Sequence, residues 1–355
     1  MAHLLAMRFS ALGDVAMTVP VVRSFALAYP QHEVTLMSRP MAAPLFEGLP
    51  ANVHFRPVKV SDYKGVNGLV RLYHELESEG YDGVADLHDV LRTMLLRLRL
   101  RAGGRPSDHI RKGHKEKHRL TSAKHRDLKP LRTSVQRYAD VFARLGYPFE
   151  VDLQPLKPAG FSPLPPKSEA CWIGIAPFAQ HEGKIYPLEQ MKEVIRLLVK
   201  GNDTSKADGD RSVFLFGAGE QEKAWCEACA REINAETGCD HVTSLVGRYT
   251  MREELAVMSQ LDAMVCMDSA NMHLASLVGT RTVTLWGATH PYAGFAALQR
   301  PGSQNLQLDL TCRPCSVFGN KACKNKEPYA CLRGITPQSV VQAVEKVAGK
   351  TESCE

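Results

Sequence analysis

The sequence predicts an α/β protein built as two doubly wound domains, and three observations carry that reading. Apolar strand patterns alternate with helical patterns through both halves, a Pro-rich stretch separates the halves, and 355 residues exceed one typical domain. Hydrophobic residues at 44% and charged residues at 23% fit a soluble globular chain. The opening "MAHLLAMRFS" reads as a strand, with neither a signal peptide nor a membrane span, so a cytoplasmic protein is expected.

In the first half, Leu4–Phe9 is a strand and Val15–Tyr29 a helix stopped by Pro30. "EVTLMS" and "NVHFRPV" are strands, Val66–Glu79 is a helix, and "YDGVADLH" is a strand again. Val90–Leu100 and Ser134–Leu145 are helical, the second ending at Gly146. Strands alternating with helices imply a parallel sheet. The stretch "QPLKPAGFSPLPPK" carries five prolines and is an extended linker. The expected division is therefore a domain at 1–153, a linker at 154–170, a second domain at 171–336, and a helix and tail at 337–355.

The second half repeats the pattern. "ACWIGIA", "SVFLFG", "DAMVCM" and "RTVTLWG" are strands; Leu188–Lys200, Glu220–Thr237, Met251–Gln260 and Pro337–Ala348 are helices. "DTSKADGDR" reads as a polar, mobile loop. Two such domains place a ligand in the cleft between them, at the carboxyl ends of the strands.

Four strand-to-turn junctions concentrate the chemistry. In "FSALGDVAMTVP", Gly13 permits a tight turn and Asp14 opens a helix, either as an N-terminal cap or as a carboxylate that accepts a proton from a sugar hydroxyl. In "APFAQHEGKIYP", Lys184 lies just before a helix start, where it gains nothing from the helix dipole; it could meet a phosphate or simply be a solvated surface lysine. "FGAGEQE" brings Gly217 close to a ligand backbone-first, with Glu220 and Glu222 able to accept from sugar hydroxyls or simply to cap the following helix. "MDSANMHLAS" passes from a strand into a helix through Asp268 and Ser269, with His273 one turn on: either Asp268 or Ser269 is an N-terminal cap and His273 packs in a core, or an anion sits on the helix start. The absence of G-x-G-x-x-G argues against a dehydrogenase.

These junctions, in this order, resemble the ADP-heptose:lipopolysaccharide heptosyltransferases, a GT-B glycosyltransferase family. The resemblance spans nearly the whole chain and rests on "SALGDVAMTVP", "GKIYPLEQM", "FGAGEQE" and "MDSANMHLAS". It implies two Rossmann-like domains facing each other across a cleft, the first binding acceptor and the second nucleotide sugar. It implies an inverting, metal-independent transfer of heptose from ADP-heptose to a lipopolysaccharide inner-core acceptor. By the same resemblance Asp14 is the general base and Lys184 a diphosphate ligand. Gly217, Glu220 or Glu222, Asp268, Ser269, Ala270 and His273 surround the donor, and Ser10 and Gly13 line the acceptor side. Ala270 stands where the family usually has Gly, and Ala179 and Gln180 replace hydroxyl residues before the lysine. A GT-B enzyme with another donor or acceptor is the alternative, and a zinc- or nucleic-acid-binding protein is the alternative of another class.

Two features lie outside that pattern. Ten cysteines include a cluster, Cys312, Cys315, Cys323 and Cys331, able to hold a structural zinc or to remain reduced thiols. From Arg97 to Arg132, thirteen Lys and Arg face three acids, whereas the chain as a whole has a net charge of +6. This arm lacks interleaved aromatics, so no nucleic-acid partner is expected. Arg111, Lys112, Lys115 and Lys117 are expected to meet an anionic acceptor, and the arm to favour peripheral association with the inner membrane surface.

Overall fold

The computed structural model describes residues 1–167, 170–200, 211–298 and 300–349. Its contacts divide the chain into two compact units: Met1–Gly113 with Arg132–Gln154, and His114–Leu131 with Pro155–Glu355. The division at Gln154 falls where the prolines begin. The segment 114–131 groups with the second unit, although it lies within the first half of the sequence.

In the first unit, β1 (His3–Met7), β2 (Glu33–Ser38), β3 (Val53–Pro57), β4 (Gly83–Asp86) and β5 (Ser107–His109) form one sheet in the order β3-β2-β1-β4-β5. Every pairing in it is parallel. The inner strands read as unbroken apolar runs because helices cover both faces, leaving β1, β2 and β4 almost wholly buried. The sequence pattern suggests one helix over Val15–Tyr29, and the structure has two, α1 (Leu12–Ala16) and α2 (Val19–Ala28). Pro20 explains the break: it has no N–H to donate, its ring would meet the carbonyl of Ala16, and it sits instead in the first turn of α2. Next come α3 (Gly65–Ser78), α4 (Leu91–Ala102) and α6 (Ser134–Arg144), whereas α5 (His114–Leu120) falls in the segment that groups with the second unit. The core of this unit joins Leu5, Met7 and Val84 of the sheet to Leu72 and Leu76 of α3 and Leu96 and Leu100 of α4.

The second unit holds β6 (Cys171–Ala176), α7 (Leu188–Lys200), β7 (Arg211–Leu215), α8 (Glu220–Thr237), β8 (Val242–Ser244) and α9 (Met251–Met258). It continues through β9 (Ala263–Met267), α10 (Ala270–Leu277), β10 (Thr282–Leu285), β11 (Gln304–Leu306), α11 (Ala330–Arg333) and α12 (Pro337–Ala348). The sheet order is β11-β10-β9-β6-β7-β8, again parallel throughout. The polar loop "DTSKADGDR" lies, apart from Arg211, outside the described residues. Both sheets are doubly wound, so each has a point where the strand order reverses: between β1 and β4 in the first unit, and between β6 and β9 in the second. Connections on either side of such a point diverge and leave a crevice at the carboxyl ends of the strands.

Candidate active site

At the reversal point of the first unit, Arg8 follows β1 and Asp14 occupies the first turn of α1. An Arg8 guanidinium nitrogen lies 2.5 Å from Asp14 Oδ2. The backbone N–H of Ala11 donates to the same oxygen at 3.2 Å. Arg8 is itself fixed, donating to the Leu87 carbonyl at 2.8 Å and lying over the Tyr138 ring at 5.7 Å. Burial raises the Tyr138 phenol above its ordinary pKa, and its hydrogen bond to Asp14 adds to the rise. Asp14 keeps 25% side-chain exposure while Arg8 keeps 9%, so the carboxylate faces outward and the cation faces inward.

From the β4 side comes His88. Its Nδ1 accepts a long bond from the Phe9 N–H at 3.4 Å, and its Nε2 is 3.4 Å from Ser10 Oγ. With Nδ1 accepting, Nε2 carries the proton and donates to Ser10. Burial, then Arg8 and Lys112, hold the His88 pKa down to about 3, so the ring is neutral at physiological pH. Beneath it, Asp86 is fully buried, accepts from the His88 and Asp89 N–H groups, and pairs with Arg97 at 3.3 Å. Burial raises the Asp86 carboxyl above its usual range.

In the second unit the reversal point is spanned by an ion pair. Lys184, ending a short 3-10 turn after β6, places Nζ 2.9 Å from Oδ2 of Asp268, the first residue after β9. Side-chain exposures are 15% and 7%. Close backbone contacts hold the lysine turn in place. The Gly183 carbonyl accepts from Ala288 N–H at 2.8 Å, and a Cβ on Gly183 would sit 2.8 Å from the Gly319 oxygen. Gly319, at φ +75°, lies so close to the Lys184 stem that a Cβ there would meet Lys184 Cγ at 2.6 Å. Ser269 is the cap residue of α10 but makes no capping bond, and its hydroxyl is buried without a hydrogen-bond partner. The N–H groups opening α10, from Ala270 on, are therefore not served by that side chain. His273 is buried one turn on.

The neighbouring turn differs. Glu222 folds back so that its Oε2 accepts from Ala218 N–H at 2.7 Å and packs against Gly217, holding its own loop. Glu220 is exposed as the first residue of α8. The structure thus brings Lys184, Asp268, Ser269 and Ala270 together, and gives Glu222 a local partner.

The basic arm divides as well. Arg111 and Lys115 are exposed, and Lys112 donates to the Asp89 carbonyl at 2.7 Å. Lys117 departs from the expectation of a surface cation: it is buried, with Nζ 4.2 Å from the centroid of the Phe295 ring. Its position on the inward face of α5 accounts for this, since α5 packs within the second unit. Arg8 and His88 escaped the sequence reading. Arg8, a lone cation closing an apolar strand, was the available signal.

The four clustered cysteines line one pocket together with Ala288, Arg313, Lys321, Asn325, Tyr329 and Ala330. Arg313 organises that segment by donating to the carbonyls of Gly287, Leu308 and Thr289. Among the described residues, no group of three or more His, Cys, Asp or Glu is arranged to hold a metal ion.

Compared with known proteins, residues 69–325 match the model of glycosyltransferase family 9 (heptosyltransferase). The chain belongs to this family. It is similar to lipopolysaccharide heptosyltransferase 3 of Escherichia coli, 24% identical over 312 residues, covering 84% of this chain and 86% of that protein. It is also similar to lipooligosaccharide heptosyltransferase 2 of Campylobacter jejuni, 24% identical over 136 residues, which is 38% of this chain and 41% of the relative's length. Among solved structures, ADP-heptose LPS heptosyltransferase II of E. coli superposes with a TM-score of 0.70 at 19% identity, covering 99% of this chain and 100% of that one. The E. coli heptosyltransferase WaaC with ADP gives 0.64 at 18% identity, covering 98% and 100%. These likenesses identify the fold of the family 9 chain as GT-B.

Proposed function

We propose that this protein transfers heptose from ADP-heptose to a lipopolysaccharide inner-core acceptor, with inversion at the anomeric carbon. The observation that carries the reading is the Lys184–Asp268 pair spanning the reversal point of the second sheet, beside a helix start whose cap side chain is unengaged. An ammonium and backbone N–H groups that the Ser269 side chain leaves uncapped, close to one another, suit a diphosphate, and the adjacent carboxylate suits sugar hydroxyls. His273, Gly217 and Glu220 complete the donor side in this reading. Glu222 supports it indirectly, by shaping the loop that carries Gly217.

In the reaction, the acceptor hydroxyl gives its proton to Asp14 as its oxygen attacks the anomeric carbon. The new glycosidic bond forms on the face opposite ADP, while the bond from that carbon to the diphosphate oxygen breaks. The electron pair leaves with ADP, whose added negative charge Lys184 and the start of α10 stabilise without a metal ion. Arg8 fixes one carboxylate oxygen of Asp14 and so orients the base. Ser10 and Gly13, with Arg111, Lys112 and Lys115, receive the anionic acceptor. Incubation with ADP-heptose and a panel of other nucleotide sugars, read by product mass and the anomeric configuration of the product, tests the proposal. Transfer from another donor alone, or retention of configuration, would overturn it.

A further inference from the structure

The helix α4 carries two apolar faces, and only one belongs to the core. Thr93, Leu96, Arg97 and Leu100 point inward and are buried. On the opposite side Leu91, Leu95 and Leu98 are 69%, 42% and 47% exposed, and exposed Ala102 continues the row. Their spacing of four, three and four residues makes one stripe along the helix. Val66, 77% exposed, and Val70 add exposed apolar side chains on α3, which packs beside α4. A soluble surface gains nothing by lining up leucines at helical spacing, so a contiguous apolar stripe marks a contact.

The charges beside the stripe select the partner. Arg92 and Arg99 flank it on one side and Arg101 on the other, and from Leu91 to Ser107 there are five arginines and no acid. Arg92 is braced by donating to the Tyr63 carbonyl at 2.9 Å, and Arg99 lies over the Tyr73 ring at 4.8 Å, so both cations are held at the flank. A symmetric contact with a second copy would set these arginines against themselves, with no acid on the stripe to pair them. A surface that is apolar below and anionic above satisfies both features.

We propose that the exposed face of α4, with Val66 and Val70 of α3, docks on an anionic lipid bilayer. The leucines enter the acyl boundary while Arg92, Arg99 and Arg101 meet the headgroups. The stripe starts at Leu91, three residues after His88, so docking brings the membrane to the edge of the reversal point that carries Ser10 and Asp14. An acceptor anchored in lipid would be presented there. This last step rests on the proposed heptosyl transfer; the docking itself does not.

The test is co-sedimentation of the full chain with vesicles of phosphatidylethanolamine and phosphatidylglycerol, and with phosphatidylcholine vesicles as the neutral control. Wild type is expected to sediment with the anionic vesicles and to remain largely in solution with the neutral ones. The triple variant Leu91→Asn, Leu95→Asn, Leu98→Asn is expected to bind about tenfold more weakly or worse, with an unchanged melting temperature. Arg99→Gln with Arg101→Gln is expected to remove most of the preference for the anionic vesicles. Transfer to a delipidated, water-soluble acceptor should be the same in wild type and the leucine variant. Wild type staying in solution, or the leucine variant binding as wild type, overturns the proposal. So does sedimentation velocity showing a dimer that the leucine variant dissolves, which would give the stripe to a second copy. If vesicle binding behaves as expected and no heptose is transferred even to the soluble acceptor, the docking stands and the heptosyl reading falls.

Discussion

Each sheet turns its reversal point into a cation–carboxylate pair, yet the two pairs are built for different duties. Arg8 and Asp14 sit on one strand–helix connection, and the guanidinium is locked by the Leu87 carbonyl and the Tyr138 ring. Lys184 and Asp268 come from connections far apart in sequence and meet only when β6 and β9 are neighbours. A planar guanidinium with several partners stays where it is, whereas an ammonium on a flexible stem can change partner. The first arrangement suits a carboxylate that must hold one orientation. The second suits a cation that a diphosphate can recruit.

Breaking the fixed pair at its acid end should have the largest effect. Asp14→Asn keeps the shape and is expected to lower transfer roughly 10²–10⁴-fold, with ADP affinity unchanged by calorimetry. Near wild-type turnover would remove Asp14 from the role of base. Next in size is the exchangeable pair. Lys184→Ala should weaken ADP binding roughly 10–100-fold and, by stranding Asp268, lower stability by about 3 kcal/mol. Adding Asp268→Asn should restore much of the stability and none of the ADP affinity, measured by chemical denaturation and calorimetry on the same samples.

Two buried groups, one in each unit, should also differ in the sign of the pH dependence they confer. Folded His88 titrates at about 3, below its ordinary 6.5, so the stability it contributes is complete above pH 6.5 and lost as pH falls towards 3. Glu254 on α9 is pushed up by burial to about 7 from 4.5, so its contribution is complete below pH 4.5 and lost as pH rises through 7. Glu254→Gln is expected to raise stability at pH 8 by about 1–3 kcal/mol and to do little at pH 4.5, whereas His88→Gln should flatten only the acid side. Equal effects of Glu254→Gln at both pH values would contradict this assignment.

Smaller still is the acceptor effect. Arg111→Gln with Lys115→Gln should raise the acceptor KM roughly 2–10-fold and leave the donor KM flat. Added salt should do the same to wild type, because exposed pairs weaken once the Debye length drops below about 8 Å. A donor KM that climbs in parallel would place these cations elsewhere. If Lys184 and the start of α10 supply the positive charge as proposed, a chelator should leave the transfer rate unchanged. A lower melting temperature on chelation would assign zinc to Cys312, Cys315, Cys323 and Cys331 after a rearrangement of their pocket.

What the sequence could reveal follows from range. Continuous apolar runs such as "CWIGIA" and "AMVCM" specify buried parallel strands by composition alone. Asp14, Lys184 and Asp268 were visible because each breaks polarity directly after a strand. Their partners were not: nothing near Lys184 names Asp268, and His88 reaches Ser10 only through the pairing of β1 with β4. Edge strands such as β5 and β8, three residues each, are too short to show a period. The burial of Lys117 could not be read from a stretch as polar as "HKEKHRL", because the aromatic ring it meets lies far along the chain. Pro20 marks the break between α1 and α2 in the sequence, yet the apolar pattern over Val15–Tyr29 reads as one helix across it.

The excursion of residues 114–131 has a consequence for recombination. The chain passes between the units at three places instead of one: after Gly113, after Leu131 and after Gln154. A chimera cut once at Gln154 would replace α5 along with the first unit. It would lose the Lys117 contact with Phe295, the Leu131 N–H bond to the Tyr292 carbonyl and the Arg126 bond to the Thr311 carbonyl. Halves exchanged between relatives would therefore fit only when 114–131 travels with the sequence that follows Pro155. The unit of inheritance for the second half is thus discontinuous, and a crossover at the prolines, the position most inviting by sequence, is one that selection should disfavour.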